Sequence, residues 1–285
     1  MKNDILITLS TGEQAHFSEE RLRRSLQRSG ASKDMIAEII RAIESELHEG
    51  ITTKEIYRTA FKMLKRMARH AAARYKLKNA IMELGPSGYP FEQYVGELLK
   101  FQGYCVQVGV IVEGNCVSHE VDVVAENDTS HFIVECKFHN RQGYFCDVKV
   151  PLYIHSRFKD IERKYKSDDS YFKKEHHGWI ITNTLFSEEA IKYGHCVGLK
   201  LVGWDYPERG SLKEWVDMSG LHPLTSLTSL TKAEKRKLLD SKIVLCKNIS
   251  EKPSLLDELG LRPPKKETVL QECRNLCGKQ PAEYS

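Results

Sequence analysis

Two neighbouring runs, SHEVDVVAEN at 118–127 and HFIVECKF at 131–138, restrict what this chain can become more than any other stretch. Both are strand-like runs, and Asn127-Asp128 suits a hairpin turn between them. A period of two puts Phe132, Val134, Cys136 and Phe138 on one face and Ile133, Glu135 and Lys137 on the other. A carboxylate and an ammonium therefore project side by side, and Asp122 lies on the adjoining strand. The plain alternative is a hairpin whose charged face is solvated. In a chain with 29% charged residues an Asp followed by a Glu-x-Lys arises often by chance. Against it, each of these charges interrupts an otherwise apolar strand, and a buried strand keeps a charge only where it pairs or binds metal.

Carboxylates converging from adjacent strands supply the hard oxygen ligands that Mg²⁺ favours. The main-chain carbonyl of Cys136, between Glu135 and Lys137, is a natural additional ligand. A metal held there can lower the pKa of a bound water and neutralise a phosphodiester. Lys137 would orient or help deprotonate that water, and burial is expected to shift its pKa downward. After these strands, Arg141, Lys149, His155, Arg157 and Lys159 are interspersed with Tyr144, Tyr153 and Phe158. Basic residues mixed with aromatics fit backbone contacts to DNA. A solvated amphipathic helix with Tyr153 and Phe158 in the core is the competing reading. His176-His177 reads as a pair of loop histidines, because adjacent positions diverge too far to share a metal.

The surroundings suggest how the chain is organised. Its 285 residues favour about two domains, and 41% hydrophobic residues with few Gly and Pro mark a globular composition. The net charge of +4 decides little about partners. MKNDILITLSTGEQ lacks the pattern of a secretory signal, and no run of 18 apolar residues occurs, so no membrane span is expected. The eight Cys form no CxxC, which favours reduced thiols and a cytoplasmic setting. Cys273 and Cys277 lie one helical turn apart, but no second pair matches them, so a frayed helical tail is expected.

Residues 1–86 read as a strand, ILITL at 5–9, followed by helices. Ser18 stands before the first and Ser32 before the second, whose buried stripe is Ile36, Ile39, Ile40, Ile43 and Leu47. Thr53 reads as the cap of a third helix continuing until Gly85-Pro86. TGEQAHF, EERLRRSL, GITTKEIY and the A-x-x-Y at 72–75 resemble the ATP-cone, the nucleotide-sensing domain of ribonucleotide reductases and their repressors. That family's phosphate-gripping Lys-Arg-Asp-Gly turn reads Leu9-Ser10-Thr11-Gly12 here. The resemblance implies ATP or dATP as a possible effector, with Arg21 and Thr53 as nucleotide-binding positions. A helical accessory domain that docks DNA or another subunit accounts for the basic residues equally well.

Residues 88–208 resemble the PD-(D/E)xK nucleases, and among them the Mrr-type restriction endonucleases. The resembling residues are Phe91-Glu92, Gly103-Tyr104, Asp122 in HEVDVV and Glu135-Cys136-Lys137 in VECK. WIITNTLFSEEAIKYG and GLKLVGWD farther on are similar to the closing elements of that family. The resemblance implies an α/β (α+β) fold with an αβββαβ core and Mg²⁺-dependent cleavage of DNA. It implies Asp122 and Glu135 as metal ligands, Glu92 as a further acidic ligand and Lys137 as the catalytic lysine. Residues 209–285 are expected to form a small helical extension that includes a Leu/Thr/Ser loop, a helix capped by Thr231 and a loosely held tail. The resulting expectation is a DNA endonuclease regulated or assembled through its N-terminal domain, with a homo-oligomer and a role in defence against foreign DNA among what the resemblance implies. A catalytically inactive DNA-binding or nucleotide-sensing adaptor is the alternative.

Overall fold

Ser18, Ser32 and Thr52 each precede a helix and accept a backbone N–H from its first turn, supplying partners that the first turn of a helix lacks. The computed structural model describes residues 5–141, 143–167 and 174–277. Strands β1 (Leu6–Thr8) and β2 (Gln14–His16) form an antiparallel hairpin, followed by helices α1 (Glu19–Arg28), α2 (Lys33–Glu46) and α3 (Thr53–Met67). The cap of α3 is Thr52, not Thr53. Thr52 Oγ1 accepts from Glu55 N at 3.1 Å while Glu55 Oε2 accepts from Thr52 N at 2.9 Å, and Thr53 is the first helical residue.

The third helix does not run on to Gly85. Ala68 is extended, with φ −153°, and the chain continues as α4 (Arg69–Tyr75) and α5 (Leu77–Met82). Packing explains the break. Tyr57 stacks on Tyr75 with ring centroids 5.2 Å apart, whereas a straight helix would separate positions that far along the chain by about 27 Å. Ala71, Ala72 and Ala73 are fully buried, and their small side chains let α4 lie close to its neighbours. The isoleucine stripe of α2 is buried as its spacing predicts, with Leu26, Ile56 and Leu64.

The next elements are α6 (Tyr89–Phe101), β3 (Cys105–Glu113), β4 (Ser118–Glu126), β5 (Ser130–Lys137), β6 (Phe145–Cys146) and α7 (Lys149–Lys166). They are followed by β7 (Glu175–Thr182), β8 (Leu185–Phe186), α8 (Glu188–Cys196), β9 (Lys200–Val202) and α9 (Leu212–Ser219). A five-stranded mixed sheet has the order β3-β4-β5-β7-β9, with β3, β4 and β5 antiparallel and β5, β7 and β9 parallel. The β4–β5 turn is set by Asn127, whose Oδ1 accepts from Ser130 N at 2.8 Å and Thr129 N at 3.1 Å. Ile154, Phe158 and Ile161 of α7 share a core with Ile133, Ile180 and Leu201 of the sheet and with Leu199 just before β9. His176 and His177 lie in β7, paired with His131 and Phe132, and not in a loop.

A short 3₁₀ turn at 224–226 then leads to α10 (Lys232–Asp240), capped by Thr231, and to α11 (Cys246–Glu251), α12 (Ser254–Glu258) and α13 (Lys265–Cys277). The chain divides into two compact units. One joins the stretch ending at Ala80 with that beginning at His222, and the other is Ile81–Leu221. The C-terminal helices are therefore built into the N-terminal unit. Lys235 Nζ donates to Thr225 O at 2.7 Å, Thr225 Oγ1 donates to Ala80 O at 2.6 Å, and Arg74 donates to Asn275 O. Cys273 is fully buried in α13, so this helix is not a frayed tail; the residues from Gly278 on lie outside the described ones. All eight cysteines are free thiols. Among the described residues no helix is long and apolar enough to cross a membrane.

Candidate functional site

The strand ladder opens where the charged residues meet. Gly109, with φ +65°, is the one positive-φ residue inside a described strand. It falls between the Val108–Val123 and Val110–Val121 pairs, opposite Asp122, where a side-chain-bearing residue would be strained. On the other side, β4–β5 pairing runs from Glu126–His131 to Val123–Val134 and no farther. Beyond it the Asp122 side chain takes over from the backbone, with Oδ2 accepting from Cys136 N at 2.7 Å. Asp122 is thereby fixed against the Glu135-Cys136-Lys137 stretch.

Glu135 is buried and doubly held. Its Oε1 accepts from Lys137 Nζ at 2.6 Å and its Oε2 from Arg157 at 2.7 Å. Arg157 of α7 also donates to the Glu120 carbonyl and has its guanidinium 5.4 Å from the Tyr153 ring centroid. Helix α7 is itself pinned to the β3–β4 turn. Asp160 accepts from Cys116 N at 2.9 Å and Val117 N at 3.3 Å, and lies 2.8 Å from His119 Nε2. The hydrogen bond to His119 is foremost in lowering the Asp160 carboxyl to about 2.

The acidic groups repel one another. Burial first, and then the charge of Glu135, pushes Asp122 up to about 6, partly offset by the Cys136 N–H, Lys137 and Arg157. Glu92, in the first turn of α6, is pushed up to about 7 by burial and by the charges of Asp122, Glu135 and Glu120. Lys137 departs from the sequence expectation. Burial pulls its pKa down, but the hydrogen bond and charge of Glu135, with the charge of Asp122, outweigh that and leave it raised. Lys137 is therefore a stabilised ammonium that donates to Glu135 and compensates its charge.

Among the described residues no three His, Cys, Asp or Glu side chains converge as a ready-made ligand shell. Mg²⁺ does not need one, since it is commonly held by one or two carboxylates together with waters and substrate phosphate oxygens. Mutually repelling, partly buried carboxylates are the donor set such a cation would relieve. Asp122, Glu135 and the Cys136 carbonyl fit it, with Glu92 beside them, once Glu135 exchanges a cationic partner for the ion.

The backbone just past Lys137 is fastened by residues that strand periodicity does not single out. Thr182 Oγ1 donates to Lys137 O at 2.7 Å, and Asn183 both accepts from His139 N at 2.8 Å and donates to His139 O at 2.7 Å. The available signal is their position: polar residues at the end of an apolar parallel strand, where α/β sheets gather their sites. Of the other expected residues, Arg141 and Lys149 are exposed, whereas Arg157 is turned into the carboxylate cluster. In the N-terminal unit Arg21 is exposed on α1 and Thr53 is half-buried at the start of α3.

A protein of Archaeoglobus fulgidus described as uncharacterized is 38% identical over 189 residues, spanning 65% of this chain and all of that one. A solved structure, that of the protein of unknown function AF1548, is 36% identical with a TM-score of 0.55, covering 67% of this chain and 99% of its own. The chain belongs to the AF1548-like family. The family's C-terminal module, described as AF1548-like, C-terminal, matches residues 222–277. That match begins where the chain returns to the N-terminal unit, at His222. In this AF1548-like chain the carboxylate cluster lies outside that module, in Ile81–Leu221.

Proposed function

We propose that this protein is a Mg²⁺-dependent endonuclease that hydrolyses DNA phosphodiesters at the Asp122, Glu135 and Lys137 cluster. The observation that carries the proposal is the hydrogen bond from Cys136 N to Asp122 across an opened strand end, which brings an acidic residue of β4 against the Glu-x-Lys of β5. The order α6, β3, β4, β5, α7, β7 supports a restriction-endonuclease-like core.

Hydrolysis forms a bond from a water oxygen to phosphorus and breaks the bond to a sugar oxygen. One proton leaves the water and one reaches the departing oxygen. Asp122 and Glu135 would hold Mg²⁺, which when bound offsets phosphate charge and acidifies water. Lys137, kept protonated by its acidic neighbours, donates toward the attacked phosphate and orients the water. Arg157 positions Glu135, and exposed Arg141 and Lys149 meet the DNA backbone. The N-terminal unit is read as an ATP-cone-like regulator that takes ATP or dATP, or as a docking element for a second copy of the chain. A cytoplasmic role in defence against foreign DNA agrees with this reading.

A nuclease-like scaffold that binds DNA without cutting it is the second reading. One observation favours it: both oxygens of Glu135 are already taken by cations. Supercoiled plasmid with Mg²⁺, with and without ATP or dATP, separates the two. The wild type should nick or linearise the plasmid. Asp122→Ala should fall to background, and Lys137→Ala should be slower by about 10²–10³-fold, the cost of removing one donor to a developing charge. No cleavage by the wild type under any of these conditions, or equal cleavage by all three proteins, would reject the nuclease.

A further inference from the structure

The chain just past the catalytic lysine closes around a pocket that the hydrolytic cluster does not use. Its volume is about 330 Å³ and it is lined by Pro86, Phe138, His139, Asn140, Arg141 and Tyr144. That is about the smallest size that accepts a planar organic ligand. Tyr144 is 54% exposed, and its ring lies nearly parallel to that of His139, at 17° with centroids 5.9 Å apart. The positive φ of Gly143, +87°, belongs to the turn that returns the chain so that Tyr144 reaches His139.

The pocket is a built feature. Asn183, itself 1% exposed, clasps the N–H and carbonyl of His139, and buried Thr182 holds the Lys137 carbonyl. The backbone of the pocket-lining stretch is therefore fixed next to Lys137, two residues before His139 in the chain. Its lining combines the aromatic rings of Phe138, His139 and Tyr144 with an amide, Asn140, and a guanidinium, Arg141. Rings offer a stacking surface, the amide can read a base edge, and Arg141 can meet the flanking phosphate. Stacking of this kind is open only to a base that has left the double-helical stack, since a paired base has both faces covered.

We infer that this pocket holds one unstacked nucleobase next to the scissile phosphate. The favoured substrate is then DNA with free bases at the cut site, as in a single strand, a flap or a frayed end, and not an intact duplex. The inference rests on the nuclease reading for the identity of the ligand.

The test is fluorescence anisotropy with the full-length protein in EDTA, using a labelled 15-nucleotide single strand and the duplex of the same sequence. The wild type should bind the single strand at least tenfold more tightly. Tyr144→Ala should weaken that binding by about 5- to 100-fold, the worth of one base–aromatic stack, and leave duplex binding within about twofold. Tyr144→Phe, which keeps the ring, should behave as wild type and controls for folding. Unchanged single-strand binding by Tyr144→Ala, or equal losses on both DNAs, would overturn the subsite. The plasmid assay reads the parent proposal separately. An active nuclease with an indifferent Tyr144 loses only the subsite, and an inactive protein with the predicted binding pattern loses only the nuclease.

Discussion

Asp122 is held in place at an electrostatic cost. Its carboxyl rises from 3.8 to about 6, first through burial and then through Glu135. The folded state therefore binds more protons than the unfolded chain between these values, and stability falls as pH rises through the window. Asn at this position mimics the protonated form and keeps an oxygen for Cys136 N–H. Asp122→Asn in EDTA should accordingly be more stable than wild type by about 2 kcal/mol at pH 7, with the gain vanishing near pH 4. Calorimetric scans at the two pH values check this. Adding Mg²⁺ should raise the wild-type melting temperature and leave the variant unmoved. An equal gain at both pH values would show that packing, not charge, separates the two proteins. At this scale the strand alternation was enough to read Glu135 and Lys137 as neighbours with Asp122 beside them. It could not reveal Arg157 as the second partner of Glu135, or Thr182 and Asn183 as fasteners. Those contacts join residues more than twenty positions apart, and only the packing of α7 and β7 on β5 creates them.

Elements were legible where a local rule governs them and not where a distant contact overrides it. Ser18, Ser32 and Thr231 cap their helices as their side chains dictate, and the spacing of the α2 isoleucines gives the buried face directly. The bend at Ala68 has no Gly or Pro to announce it, because its cause is the docking of Tyr75 on Tyr57. Gly178 belongs to the same class. It sits in the middle of β7, where a Cβ would meet Leu199 Cδ2 at 2.6 Å and the Phe158 ring at 3.0 Å. It thus lets α7 approach the sheet closely enough for Arg157 to reach Glu135. Gly178→Ala should destabilise the 81–221 unit by about 1–3 kcal/mol through overpacking. On the nuclease proposal it should also slow DNA cleavage more than the melting shift alone explains, because α7 carries Arg157. A variant that melts like wild type and cuts at the wild-type rate would mean that α7 has room to give.

At the scale of the whole molecule, the two ends of the chain make one unit and the middle makes the other. Sequence alone pointed to a small helical extension with a loosely held tail, read from Pro253, Pro263-Pro264 and the polar last residues, and took LTSLTSL for a loop with a short tandem repetition. The structure gives that loop a centre in Glu272 of α13, which is 3% exposed. Glu272 Oε1 accepts from Thr228 N at 2.7 Å, and Oε2 accepts from Ser229 N at 3.0 Å and from the Ser229 hydroxyl. The alternation of Leu with Thr and Ser has a partial physical reason: Leu224, Leu227 and Leu230 are buried, the Thr225 hydroxyl donates to Ala80 O and the Ser229 hydroxyl to Glu272, whereas Ser226 Oγ and Thr228 Oγ1 are buried with no partner among the described residues. Removing the Glu272 carboxylate would strand two backbone donors, the Thr228 and Ser229 N–H groups, at about 1–3 kcal/mol each, while the Ser229 hydroxyl can rotate to another partner. Glu272→Ala should therefore lower the melting of the terminal unit by an amount on the order of 2–5 kcal/mol, while Glu272→Gln, which retains one acceptor, loses less. Hydrogen exchange followed by mass spectrometry resolves the two units. Protection should fall in peptides from both ends of the chain, including those around Ala71–Ala73, and stay unchanged around Asp122 and Glu135. Loss confined to the C-terminal helices would mean that the shared core with the N-terminal helices does not transmit the defect. Loss spread equally to the central sheet would mean that the two units unfold as one.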